Sequence, residues 1–258
     1  MQHIESLRRA DEGFRAQTHY RVIVAELDAQ AGQYALRALV DVLPPNDLGL
    51  CIGEVGHNLR SALDGLIYQL GKANRAKEKT LAWTQFPIYL NADPPGCVGK
   101  CPKGVPAHFG CRGLRLIKPL KDAHKTVIER LQPYQAGNGG KDSPLYLLNE
   151  LNNADKHRLL QVIGGKAMGY SGGGAWGNNP MPDYFINTSA VLEDGAKVGY
   201  VAATDVAARN VRMSQNILPY IGFWEGCEAV TGRGVTFTLS PMADEVSKVI
   251  EGFGPEFG

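Results

Sequence analysis

Between the proline pair Pro44–Pro45 and Gly71 runs an apolar row, Val55, Leu59, Ala62, Leu63, Leu66 and Leu70, at steps of three and four. That spacing places every member on one side of a 3.6-residue helix, so this stretch needs an apolar neighbour to cover it. A second row in LYLLNELNNADKHRLLQVI, opened by Ser143–Pro144 and closed by Gly164, imposes the same demand. A chain with two such helices folds by packing them on each other or on a sheet. Gly49, Gly53 and Gly56 each disfavour helix by about 1 kcal/mol relative to alanine. Hence either the segment before Gly56 is a loop, or the glycines form a row against which another backbone comes close.

Strand patterns flank this helical middle. Tyr20–Leu27 and Gln33–Leu43 alternate around a turn at Ala31–Gly32 and predict a hairpin. Short strands are predicted around Tyr184–Val191, Lys197–Ala203, Ile217–Trp224 and Val235–Leu239. An amphipathic helix is expected over the first fifteen residues, another over Leu120–Leu131, and a terminal one from Ser240–Pro241. The assembly that buries these faces is a single α+β domain over 1–258, with central helices packed on a largely antiparallel sheet formed by the N-terminal hairpin and C-terminal strands. Its helical middle spans about 47–164 and its strand-rich part about 183–258, with a cysteine-rich insertion at about 95–112.

The two long helices carry unusual polar faces. On the first, His57, Ser61, Asp64 and Tyr68 follow one another with Arg60 beside them; on the second, Glu150, Asn153, His157 and Gln161 do so near Asp155. Exposed helix faces are usually filled with lysine and glutamate, whereas these groups have narrow hydrogen-bonding geometry. Three readings stand side by side. The groups pair across a helix contact, with Asp64 or Asp155 held by Arg60, Lys156 or Arg158. Or His57, Arg60, Asp64, Asn153, Asp155 and His157 form a catalytic site, with two imidazoles as general acid and base around a phosphodiester or similar anion. Or Glu54–His57 and Glu150–His157 begin a di-iron set that lacks its remaining glutamates.

In the segment GCVGKCPKGVPAHFGC, the side chains of Cys97, Cys101, His108 and Cys111 make a candidate structural zinc site, since three thiolates and an imidazole suit a closed tetrahedral ion. The competing reading is reduced, unliganded thiols, because five cysteines are an odd number for a disulfide framework. Cys51 and Cys227 sit among apolar residues and read as core. Zinc is the one cofactor this implies.

A net charge of +1 supplies no general attraction to nucleic acid or anionic membrane, so RNA or a nucleotide as partner finds no support in net charge, and a homodimer remains open beside it. No apolar run of membrane length and no basic leader are seen, which predicts a cytoplasmic protein.

The strings HNLRSALD (57–64), LQPY (131–134) and LNNADKHRLL (151–160), with the YRVIVAELDAQAGQY hairpin and the PPNDLG turn, resemble a family of uncharacterised bacterial and phage proteins over most of the chain. That resemblance implies no particular activity, fold or ligand. Asp64 is followed here by Gly65 where such relatives often have histidine, and the cysteine loop looks like an insertion. A more distant likeness, from helix pairing alone, is to HEPN-type domains, some of which are ribonucleases; their arginine-to-histidine helix spacing is not present. The functions expected are therefore a binding or structural role for the polar helix pair, a HEPN-like ribonuclease or nucleotide-processing enzyme using His57, Arg60 and His157, or a zinc-stabilised interaction module.

Overall fold

The computed structural model describes residues 2–16, 20–42, 44, 47–92, 107–155, 162–164, 175–176, 179–180, 184–186, 193–202, 221–224 and 226–257. Helix α1 (Gln2–Ala16) precedes a hairpin of β1 (Tyr20–Asp28) and β2 (Gln33–Val40). Asp28 makes the turn: its Oδ1 accepts the N–H groups of Gln30 (3.1 Å) and Ala31 (3.0 Å), and Gly32 follows at φ +63°, which a side chain resists.

The long helix α2 (Asp47–Ala73) comes next, followed by a single turn, α3 (Glu78–Leu81), an extended stretch, and a π-turn over Phe109–Gly113 that continues as α4 (Leu114–Leu116). Helices α5 (Asp122–Arg130) and α6 (Pro144–Asp155) complete the middle. Strands β3 (Val162–Gly164), β4 (Ala175–Trp176), β5 (Asn179–Pro180), β6 (Tyr184–Ile186), β7 (Lys197–Ala202) and β8 (Ile221–Phe223) lead to α7 (Val235–Gly252).

The fold is α+β. An antiparallel sheet in the order β1-β2-β7-β6 joins the early hairpin to late strands, as the pattern predicted, with β3-β8 and β4-β5 as separate pairs. Leu36, Ala38, Val198 and Val201 bury one side of this sheet in the cluster that also holds Ile52, Leu63 and Ile67 of α2, Leu148 of α6 and Met242 of α7. Helix α2 packs on α1, α6 and α7, so the helices are its main partners.

Two elements differ from expectation, and a third decides between the alternatives open for the glycines. Helix α2 begins at Asp47, with Gly49, Gly53 and Gly56 inside it and buried. A Cβ at Gly53 would lie 2.3 Å from Asp155 Oδ1, and one at Gly56 would lie 3.4 Å from Leu151 Cδ2, so close approach of α6 compensates the poor helix propensity. Val162–Gly164, expected to end the second helix, are a strand paired with Phe223, Gly222 and Ile221; two β-branched residues are better placed there. Val235–Leu239, expected as a strand, open α7, where Val235, Thr238, Leu239 and Met242 are buried at helical spacing. Pro241 lies inside that helix on its exposed side.

Candidate functional site

Two separate arrangements occupy the polar helix faces. The first surrounds Arg60 and Asp64. Asp64 Oδ1 accepts Arg60 Nη2–H (3.0 Å) and also the Phe86 backbone N–H (2.8 Å), while Arg60 Nη2 donates to the Phe86 carbonyl (2.6 Å). One ion pair therefore satisfies both backbone groups of a residue in an extended segment that no strand accompanies. One and three residues on, at Pro87 and Tyr89, Gln132 continues the pattern. Its Oε1 accepts Tyr89 N–H (3.0 Å) and its Nε2 donates to the carbonyls of Pro87 (2.9 Å) and Ile128 (3.0 Å), all from a site only 1% exposed. The TQFPIYL fragment, which has the composition of a strand, is thus paired with side chains of α2 and of the turn after α5. The arginine side chain is 12% exposed, and its Nη1 has no hydrogen-bond partner in the structure among the described residues.

Tyr89 lies beside this clamp. Burial pushes its phenol above the usual range, against the opposing pull of Arg112 and Arg60.

His57 is exposed, and the Ser61 Oγ lies 3.4 Å from its Nε2. It stands one helical turn beyond Gly53, on the same side of α2, and Gly53 is where Asp155 of α6 rests. The two predicted faces therefore adjoin at Asp155. Asn153 does not take part: two residues from Asp155, it points about 200° away around α6. It joins Tyr146 and Glu150 along a groove of about 650 Å³, closed on the other side by Cys227, Glu228 and Arg233 of the loop between β8 and α7. The single centre expected from the sequence is in this respect divided, Asp155 facing α2 and Asn153 facing the groove. His157 lies outside the described residues, as do Cys97, Cys101, Lys156 and Arg158.

The groove is electrostatically mixed. Lys141, just ahead of α6, contributes to its lining, and Arg233 is ion-paired with Asp142. The Tyr146 phenol is raised by burial and then by Glu150, Cys227 and Glu228; the Cys227 thiol is raised by burial most of all. Cys227 is therefore an un-ionised thiol, consistent with the core role expected for it. Glu150 accepts a bond from Asn149 Nδ2 (3.2 Å), a neutral neighbour. The sequence reading took Glu150 and Asn153 as one face but missed Lys141, Glu228 and Arg233, which come from segments without a motif.

His108 is fully buried, and Cys111 is only 2% exposed. Cys111 is disulfide-bonded, its partner outside the described residues, while Cys51 and Cys227 are free. This departs from the expectation of reduced thiols. A disulfide sulfur offers no thiolate, so zinc on Cys97, Cys101, His108 and Cys111 requires the reduced form. Among the described residues, no group of three His, Cys, Asp or Glu side chains could hold a metal ion.

Away from both arrangements, His124 is buried edge-on to Phe253, with ring centroids 5.7 Å apart. Its Nε2 lies 3.2 Å from Glu256 Oε2. Lys121, and then His124, hold the Glu256 carboxyl below its ordinary value.

Fold and site together define an α+β protein with a structural ion-pair clamp on α2 and a mixed-charge groove beside α6. The chain matches no protein-family model, and no curated protein or solved structure aligns with it. Among the described residues, no helix is long and apolar enough to cross a membrane.

Proposed function

We propose a binding role, in which the polar stripe of α2 holds the chain together and the polar face of α6 meets a ligand in the adjoining groove. One observation carries this reading: Arg60 and Asp64 are engaged with each other and with the Phe86 backbone, whereas Glu150 and Asn153 open onto a groove of about 650 Å³. That volume lies in the range of small-molecule sites, about 300–1,000 Å³. The test is a thermal-shift panel of small polar ligands at millimolar concentration. A ligand at a hundred times its Kd stabilises by about 2.7 kcal/mol, a shift of several degrees, and Glu150→Lys should abolish it. A shift unchanged in Glu150→Lys overturns the assignment of the groove.

The second reading, a HEPN-like ribonuclease using His57, Arg60 and His157, is favoured by the position of His57 one turn from the Gly53–Asp155 contact. It predicts RNA cleavage that His57→Ala abolishes at unchanged melting temperature. The third, a zinc-stabilised module, predicts one zinc per chain after purification under reducing conditions.

A further inference from the structure

The net charge of +1 conceals one strongly basic region. Residues 71–85, which end α2 and form α3, carry Lys72, Arg75, Lys77 and Lys79 against the single acid Glu78. Residues 109–121, from the π-turn through α4 to the approach of α5, carry Arg112, Arg115, Lys118 and Lys121 and no acid. Together the two segments hold a charge of +7, so the remainder of the chain is acidic. All eight basic residues are exposed.

The fold joins the two segments. Asn74 Nδ2 donates to the Pro119 carbonyl (2.7 Å), and Gln85 N–H donates to the Leu116 carbonyl (3.4 Å). A Cβ at Gly71 would lie 2.7 Å from Leu81 Cδ2 and 3.4 Å from Pro119 Cγ, so the end of α2, α3 and the Pro119 turn meet there; the Gly71 carbonyl also accepts Ala76 N–H (3.0 Å). Apart from Arg112, each of the cations stands within two residues of one of these contacts, at most about 7 Å of chain. That is inside the Debye length of about 10 Å at 0.1 M salt, so their fields overlap. Lys121 is paired with Glu256 (3.0 Å), while the other seven have no ion-pair partner among the described residues.

Two further features select the partner. Trp83 is 79% exposed, on a turn anchored by the buried Leu81, whose carbonyl accepts both the N–H (3.0 Å) and the Oγ1–H (2.7 Å) of Thr84. An indole left in water beside uncompensated cations suits a chain of phosphates with planar bases, which stack on it whatever their sequence. A lipid surface calls for a broad apolar face, and in these segments Leu114 is the other large apolar side chain at the surface. Arg75 has φ +58°, and its N–H donates to the Lys72 carbonyl (2.9 Å), at a helix end where glycine is the usual residue. Its charge is kept there against the preference of the backbone.

We propose that this junction is a binding surface for single-stranded nucleic acid, with Trp83 stacking a base and the seven free cations contacting phosphates. The surface is separate from the groove beside α6 and independent of any ligand bound there.

In the experiment the full chain is titrated into fluorescein-labelled oligothymidylate or oligouridylate of about twelve nucleotides and followed by anisotropy. Binding should be micromolar at about 50 mM salt and fall with salt at a log–log slope of about −3 to −5, the steeper value being that of seven phosphates. Arg115→Ala with Lys118→Ala should make the slope shallower by about 1.4. Trp83→Ala should weaken binding about tenfold and leave the slope unchanged. Arg75→Gly should weaken binding about threefold with Tm at or above that of the parent, because glycine relieves the left-handed backbone; this separates lost charge from lost folding. Arg9→Ala, a cation of α1, should change nothing. Binding of either oligonucleotide supports the surface, and a preference for oligouridylate adds that the 2′-hydroxyl is read. No anisotropy change up to about 100 µM protein at the lowest salt overturns the proposal, as does an equal loss from Arg9→Ala. Sedimentation with phosphatidylserine vesicles in the absence of oligonucleotide binding overturns it in favour of a membrane surface.

Discussion

Replacing Asp64 by alanine separates a structural role for the α2 stripe from a catalytic one. The carboxylate accepts three hydrogen bonds, from Arg60 Nη2 at 3.0 Å, from Arg60 Nε at 3.4 Å and from Phe86 N–H at 2.8 Å. Its removal leaves a guanidinium only 12% exposed without its counter-ion, and a part-buried backbone N–H without an acceptor. Breaking a fully buried pair typically costs about 3–5 kcal/mol. Asp64 is 30% exposed, so water re-solvates part of the site and about 3 kcal/mol is the appropriate scale. In a chain of this size that lowers Tm by roughly 6–12 °C. Asp64→Asn keeps the acceptor for Phe86 and should lose about half as much. Urea unfolding followed by circular dichroism measures both, and Arg60→Ala combined with Asp64→Ala should cost less than the sum of the single changes. A loss below about 0.5 kcal/mol for Asp64→Ala, the level of an ordinary surface change, refutes the clamp.

Gly53→Ala should destabilise, because its Cβ meets the Asp155 carboxylate at 2.3 Å, whereas Gly56→Ala meets Leu151 at ordinary contact distance and should be neutral or stabilising by up to about 1 kcal/mol; thermal melts of both variants, with Asp155→Ala as rescue for the first, read the contrast. Gln132→Ala leaves two buried carbonyls and one part-buried N–H without their partner and should cost about 3 kcal/mol by urea titration, with Tyr89 amide exchange accelerated. The Glu256 carboxyl is depressed from 4.5 by Lys121 and His124, so its contribution is present above the unfolded-state value and is lost as pH falls through the folded one. The protection factors of the amides in 254–257, corrected for the intrinsic pH dependence of exchange, should therefore fall in acid, and in Glu256→Gln they should already be low near neutrality, with little further acid dependence. Peptide mapping without reductant should recover Cys111 in a disulfide-linked fragment; a wholly free Cys111 thiol contradicts the bridge.

Much of the architecture was legible because periodicity is local. The apolar row of α2 and the hairpin with its turn at Ala31–Gly32 follow from spacing and turn chemistry, and the pairing of early with late strands from the need to bury both apolar faces in one core. Where propensity misled, packing was the stronger term. Val235–Leu239 have β-branched composition, yet Val235, Thr238, Leu239 and Met242 bury along one helical side; Gly53 and Gly56 weaken α2 locally, yet they admit α6.

By itself the sequence determined which residues are polar at helical spacing and that two such helices exist, since that information lies in intervals of three and four. Only the tertiary structure decided what those residues face. Arg60 and Asp64 turn to the Phe86 backbone, Asp155 to Gly53, and Asn153 to a groove completed by residues more than seventy positions away. The reason is physical: a residue's interval along the chain fixes its angle around its own helix, but the partner at that angle depends on how distant elements dock.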